Sequence, residues 1–383
     1  MTAAPAVARE NAATAQKRIP ALDGVRALAS LMVVAYHFGP HIIRTADSRF
    51  TFLLRFPRHG VEGVDLFFVL SGFLISGILV NARNSPRYFS TFYLRRAFRI
   101  FPLYYLTLAG YTVAALWLGA KAAGLGRLFE NPLPLWTYWL YVQNFAMAVA
   151  GTYGAIWMAG SWSLAIEEQF YLTLPAVIRN VNDRVLMRIA GAGLVIPIFL
   201  RALEQHTRVL PGIANAVLLP MRLDSLSAGI IIMLLLRNHS DRIRKNLGLF
   251  RWSGILVGFV WFIFPALPPA ISVRMGFLND TISAVAFGLL ILNIQLRPQT
   301  LLARALSTGP LCLLGNMAYS TYLFHPIVLC LVFRSLRGLD PQLNTLSDLT
   351  ALAIALGVTL LLSWFSWTRF EQPILSRARR FKY

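Results

Sequence analysis

The chain reads as an all-α, polytopic membrane protein of about ten transmembrane helices, and three observations predict this. Only 14% of its 383 residues are charged and 57% are hydrophobic, against roughly 25% charged in a soluble domain. The apolar residues fall into runs close to the ~20 residues that a helix needs to cross a bilayer. The excess of 36 Lys and Arg over 16 Asp and Glu, a net +20, is gathered in short clusters between those runs, where topology and anionic lipid headgroups account for it. The same charge on a soluble chain would raise nucleic acid as a partner; here no nucleic-acid partner is expected.

The first run, Leu22 to Ile42, carries Arg26 and His37. An arginine inside hydrocarbon costs roughly 2.5–3.5 kcal/mol, so its side chain is expected to face protein or a wet cavity. Helical geometry sets the two residues about 16 Å apart along the axis and roughly on one face, which suits a tunnel lining better than a contact pair. A purely structural hydrogen-bonding role for the histidine stays open. The polar, Ala-rich stretch 1–20 is expected to be a disordered cytoplasmic tail. With no small-x-small cleavage site after the first run, that run is expected to be a retained span.

The second run, Glu62 to Val80, contains Asp65 and a small-xxx-small pair, Gly72 and Ser76, suited to close helix packing. A basic loop with Arg83, Arg87, Arg95, Arg96 and Arg99 leads into a third helix that starts near Pro102 and ends at Leu118. The segment 134–150 is apolar but short and crowded with Trp136, Tyr138, Trp139 and Tyr141, the composition of a re-entrant or interfacial segment. Further spans are expected at Trp157 to Ile178, Ile189 to Leu203, Met221 to Leu236, Trp252 to about Pro268, Asp280 to Leu296, Gly309 to Arg334 and Leu346 to Trp367. If the aromatic segment does not cross, ten spans place both termini and the basic loops in the cytoplasm. One membrane domain, 21–370, then stands between the N-terminal tail and a basic cytoplasmic tail, 371–383. Cys312 and Cys330 fall within one apolar run; on a single helix they are too far apart for a disulfide.

Several ionisable residues lie inside these runs. Asp65 and His37 fall at similar depth, so an Asp–His pair at the outer part of a shared cavity is open to them. Glu167 and Glu168 are adjacent near mid-membrane and point about 100° apart, so they cannot face the same group; a structural ion pair with a facing arginine is the simpler alternative. Arg222 and Asp224, at the outer end of their helix, suit either an extracytoplasmic acceptor or a helix cap. His325 lies near the depth of His37. Arg96 and Arg99, three apart, share one face, and two guanidinium forks so placed suit a phosphorylated ligand; a lipid-facing charge cluster is the alternative. No zinc-ligand spacing, Walker loop, dinucleotide fingerprint or nucleophile-elbow serine is present, and no metal is expected.

Seven blocks in order, LDGVRALASLMVVAYHF, GVDLFFVLSGFLISG, FYLRRAFRIFPLYY, SWSLAIEEQFYL, RLDSLSAG, NMAYSTYLFHP and FEQP, resemble the signature blocks of the membrane acyltransferase-3 family and span almost the whole chain. The resemblance implies an O-acyltransferase of the bacterial inner membrane. Its donor is an acyl coenzyme A, acetyl by default, reached from the cytoplasm. Its acceptor is a hydroxyl, often on a carbohydrate, presented on the far side. It implies further that His37 is the essential histidine, Arg26 its companion, Arg96 and Arg99 the pair that meets the nucleotide phosphates, and Glu167 the regular acidic position, with Glu168 less firmly placed. Arg222, Asp224, His325 and Glu168 are then the acceptor-side candidates. Relatives with an esterase-like C-terminal domain exist, and the sequence reads as the stand-alone form.

The chemistry agrees. A thioester is already activated, so transfer needs a base for the incoming hydroxyl and positive or hydrogen-bond-donating groups for the oxyanion. An imidazole at His37, oriented by Asp65 or Glu167, fits the first need. Direct transfer in a ternary complex is the first mechanism and an acyl-histidine intermediate the second. A proton-coupled transporter using the same buried ionisable residues is the competing class, although inverted repeats and paired broken helices are not evident.

Overall fold

In the computed structural model, which describes residues 19–41, 56–118, 125–264 and 267–383, every apolar run becomes helical. The helices are α1 (Pro20–Tyr36), α2 (Gly63–Ala82), α3 (Tyr88–Leu118), α4 (Leu135–Trp139), α5 (Gln143–Ala150), α6 (Ser161–Asn180), α7 (Asp183–Thr207), α8 (Leu219–Lys245) and α9 (Leu247–Ile263). They continue with α10 (Asn279–Leu296), α11 (Leu301–Leu306), α12 (Gly309–Asn316), α13 (Ala318–Arg337), α14 (Leu346–Ser366) and, after a π-helical turn at Trp367–Glu371, α15 (Gln372–Ala378). Among the described residues eight stretches are long and apolar enough to cross a membrane. Two further apolar helices fall short, α6 because Glu167, Glu168 and Gln169 lower its hydropathy and α9 because it has only 17 residues. The tail expected at 1–20 lies outside the described residues except for its last two.

Four boundaries differ from the sequence reading. Helix α3 begins at Tyr88, so Arg95, Arg96 and Arg99 sit inside a helix of 31 residues and not in a loop before it. Pro102 is tolerated within that helix at the loss of one backbone hydrogen bond. The aromatic segment is two short helices, α4 and α5, of five and eight residues, joined through Tyr141 at φ 56°. Both are anchored on neighbours: Tyr104 donates to the Tyr138 carbonyl (2.8 Å), and Gln143 to the Ser161 carbonyl (2.8 Å).

The run expected as one helix from Gly309 to Arg334 breaks at Met317, which separates α12 from α13. Cys312 and Cys330 therefore lie on different helices, and both are free thiols. Finally, α15 and the residues after it pack onto α3, where Thr91 Oγ1 donates to the Lys382 carbonyl (2.9 Å).

Backbone-to-backbone contact sets the packing around the first two helices. A Cβ on Gly72 of α2 would collide with the Leu226 carbonyl of α8, and one on Gly229 of α8 with the Val69 carbonyl of α2. Ser76, the other small residue of that face, is fully buried and donates back to the Gly72 carbonyl (2.5 Å). Small residues at such crossings let helices approach without an aqueous hydrophobic effect to drive them. Helix α1 is held the same way: a Cβ on Gly24 would strike the Leu306 carbonyl, and one on Gly315 of α12 the Asp23 carbonyl.

Because the atom met at Gly229 is backbone and cannot swing aside, Gly229→Val is expected to cost at least the roughly 3 kcal/mol at the top of the overpacking range. Gly258→Val on α9, where nothing lies within 4 Å, is expected to be neutral. Thermal midpoints of the two purified variants, read by size-exclusion in detergent, check this pair.

Candidate active site

Helices α1, α2, α3, α6, α13 and α15 enclose a cavity of about 650 Å³, within the range of small-molecule and cofactor sites. Five arginines line it, Arg26, Arg95, Arg96, Arg99 and Arg379, against one carboxylate, Glu167. Their pairing is unequal. Arg26 is held by Asp23 three residues earlier (2.5 Å), and Arg95 donates to the Phe381 carbonyl (2.8 Å). Arg96 stacks over the Tyr171 ring, 5.8 Å from its centroid, with a buried Nε that has no hydrogen-bond partner. Among the described residues neither Arg96 nor Arg99 forms an ion pair or a side-chain hydrogen bond. Glu167 and Glu371 lie within electrostatic range of the pair without direct contact, and guanidinium groups in this state inside a protein are stabilised further by an anion that meets them directly.

The carboxylate of Glu167 accepts from Ser71 Oγ (2.7 Å), which also contacts the Tyr171 hydroxyl at 2.5 Å. Glu167 thus belongs to a hydroxyl cluster and is not ion-paired with a facing arginine. Glu168 points elsewhere, as the 100° offset requires, and its Oε1 is buried with no hydrogen-bond partner.

The histidines lie one aromatic layer from this cavity. Tyr322 lines it and hydrogen-bonds Ser163 (2.7 Å); the His325 ring follows at 6.1 Å, and His37 packs on His325 with centroids 4.9 Å apart. His37 is the first residue beyond α1, in a π-helical turn. Its Nδ1 lies 2.9 Å from the Val33 carbonyl and 3.2 Å from His325 Nε2, while His325 Nδ1 lies 2.9 Å from the Thr321 carbonyl. A carbonyl only accepts, so for neutral rings these contacts assign a proton to each Nδ1. His325 Nε2 then accepts from His37, and the lone pair of His37 resides on Nε2. Arg26 and His37 do sit at opposite ends of α1, but only Arg26 reaches the cavity lining.

The other sequence candidates are engaged elsewhere. Asp65, 1% exposed, accepts from Arg222 (2.6 Å) and from Ser225 Oγ (2.7 Å). Arg222 also binds Asp280 (2.6 Å), Arg201 binds Asp224 (2.8 Å), and Thr281 donates to Asp224 (2.7 Å). This network ties α2, α7, α8 and α10 together. The carboxylates proposed to orient His37 are thus given other partners, Asp65 in this network and Glu167 at Ser71. Arg222 is paired with Asp65 and Asp280, and Asp224 with Arg201. Sequence reading missed Arg201 and Asp280. An arginine inside the apolar run of α7 was the available signal, since it requires a counter-charge.

A polytopic membrane bundle enclosing a guanidinium-lined cavity, with a histidine pair beyond its inner wall, is the class these features define. The family model described as an acyltransferase domain matches residues 19–368, and the chain belongs to that family. It is 24% identical over 380 residues to the peptidoglycan O-acetyltransferase OatA of Listeria monocytogenes, covering 94% of this chain and 56% of that protein. It is 26% identical over 389 residues to the O-acetyltransferase OatA of Staphylococcus aureus, covering 95% and 58%. A putative O-acetyltransferase of the same species, SACOL0978, is 26% identical over 345 residues, covering 82% and 51%. The chain thus spans just over half the length of these bacterial relatives. No solved structure matches it. Among the described residues no group of three His, Cys, Asp or Glu is placed to hold a metal ion.

Arg222→Ala would strip Asp65 and Asp280 of their shared cation. It is expected to destabilise the bundle by about 3–5 kcal/mol, the cost of breaking a buried pair from one side. Arg304→Ala, an arginine outside the network, should leave the midpoint unchanged; thermal unfolding in detergent measures both.

Proposed function

We propose that this protein is an acyl-coenzyme-A-dependent O-acyltransferase that moves an acyl group, acetyl by default, to a hydroxyl of an extracytoplasmic saccharide or related acceptor. The observation that carries the reading is the pair Arg96 and Arg99, two guanidinium groups that have Glu167 and Glu371 in their surroundings but make no direct ion pair among the described residues, in a cavity that leads through Tyr322 to the histidines. Phosphates of a nucleotide donor supply directly contacting anions, because guanidinium forks match phosphate oxygens. Family membership and the names of the relatives support O-acetyl transfer, and the peptidoglycan named for one of them supports a cell-envelope glycan as the acceptor class.

The donor enters from the end where α3 begins and α15 finishes. In this reading that end is cytoplasmic, with both termini and the basic loops, and ten helices cross the bacterial inner membrane. The pantetheine arm passes Arg96 and Arg99 towards Glu167 and Tyr322. An acceptor hydroxyl arriving from the far side is deprotonated by His37 Nε2 as its oxygen attacks the thioester carbonyl carbon. The oxyanion collapses, the carbon–sulfur bond breaks, and the leaving thiolate takes the proton from the imidazolium. The products are an O-acyl ester and the free thiol of coenzyme A. His325 positions the base by accepting from its Nδ1, and Arg26 contributes positive charge at the inner wall. With no cysteine or elbow serine beside His37 among the described residues, direct transfer is preferred over a protein-bound intermediate.

His37→Ala is expected to lower acyl transfer by at least ~10²-fold, the scale of general base catalysis, with membrane insertion unchanged. Radiolabelled acetyl transfer in membranes measures it, and retained turnover would remove His37 as the base. Arg96→Ala combined with Arg99→Ala is expected to weaken coenzyme A binding by about 10²-fold, the loss of two charged hydrogen-bonding groups. Calorimetry on the purified protein reads that affinity, and an unchanged value rejects the donor site.

A further inference from the structure

The cavity has one wall that extends beyond the last of the sequence blocks, FEQP. Gln372, Leu375 and Arg379 of the C-terminal segment line it, and that segment is fastened to the first turns of α3 by four contacts. Thr91 Oγ1 donates to the Lys382 carbonyl (2.9 Å) and Arg95 Nε to the Phe381 carbonyl (2.8 Å). Phe98 packs on Phe381 with centroids 5.6 Å apart, and the Arg95 guanidinium lies over the Tyr383 ring at 5.2 Å. Arg379 itself is exposed, so it stands at the mouth, whereas Arg96 and Arg99 are half-buried further along the wall. Clipping residues 381–383 to α3 carries Arg379 to the lip of the cavity beside Arg95.

We propose that Arg379 binds the 3′-phosphate of the coenzyme A donor, an assignment that rests on the donor reading above. A coenzyme A thioester is laid out in a fixed order: acyl thioester, pantetheine, diphosphate, then the ribose with its 3′-phosphate. With the thioester at Glu167 and Tyr322 and the diphosphate at Arg96 and Arg99, the remaining anionic group reaches the mouth. A phosphate monoester is well matched by an arginine fork. The C-terminal segment is then part of the binding site and not an appended basic tail.

The same chemistry is offered by an anionic lipid headgroup, so the test uses full-length protein in discs of zwitterionic lipid. Coenzyme A and its 3′-dephospho form are titrated calorimetrically into wild type, Arg379→Ala, Arg379→Lys and Arg380→Ala. The expected result is about a tenfold weaker affinity of Arg379→Ala for coenzyme A, the scale of one charged hydrogen-bonded contact. Arg379→Lys should recover part of it, because it keeps the charge without the fork. Dephospho-coenzyme A should bind wild type and Arg379→Ala alike. Arg380→Ala, which removes the same charge from a residue outside the cavity lining, should behave as wild type.

Equal coenzyme A affinity of Arg379→Ala and wild type overturns the assignment while leaving the donor reading standing. So does an equal loss in Arg380→Ala, a loss shared by the dephospho form, or an effect seen only when anionic lipid is added. No binding of either nucleotide to wild type overturns the donor reading and this assignment together.

Discussion

Placing positive charge inside an apolar bundle is the constraint on which this structure turns, because each guanidinium taken out of water must be met by something. The protein answers in two ways. Arg201 and Arg222 are closed into a network with Asp65, Asp224 and Asp280, and there the charges fix how α2, α7, α8 and α10 sit together. Arg96 and Arg99 make no direct ion pair among the described residues and face a cavity. The first group is engaged in packing, and the second faces the space that the proposed donor would occupy. Neighbouring blocks of one sequence thus hold arginines of opposite purpose, and pairing is what separates them.

The histidine pair depends on the same discipline applied to hydrogen bonds. His37 follows α1 directly and bonds back to the Val33 carbonyl one turn below, as its neighbour His325 bonds back to Thr321 on α13. Each ring is therefore anchored by its own helix, and the contact between them transmits the register of α1 to that of α13. The close approaches at Gly24 and Gly315 hold the other end of α1. The His37 ring has the Val33 carbonyl and the His325 imidazole as neighbours that fix its orientation.

Much of the fold was legible because apolar run length and basic clusters are properties of contiguous sequence. All ten runs became helices, and the short aromatic segment was recognisable from its length and its Trp and Tyr. Boundaries failed where tertiary contact overrides local signal. The arginines before Pro102 resembled a loop because their charge is unfavourable for a span, yet a cavity lets the helix continue through them. Met317 breaks a run that hydropathy leaves continuous. At the site, Arg26 stood out as a charge inside an apolar run, Arg96 and Arg99 by their spacing, and Glu167 through the family resemblance, and the structure brings all four to one cavity. Which carboxylate belongs to which cation could not be read, since Asp65 meets Arg222 from 157 positions away. Ser71 and Tyr171 lie within two of the quoted blocks, but nothing in those blocks marked them as partners of Glu167, and Arg379 lies outside every block.

The clip between Thr91 and Lys382 joins positions 291 apart in the chain. Contacts of such separation are the slowest to form, so the pocket is among the last features to mature as the bundle assembles in the bilayer. A partly inserted intermediate has its arginines but no closed chamber for them. The cavity thus has a wall that only the last residues of the chain can complete.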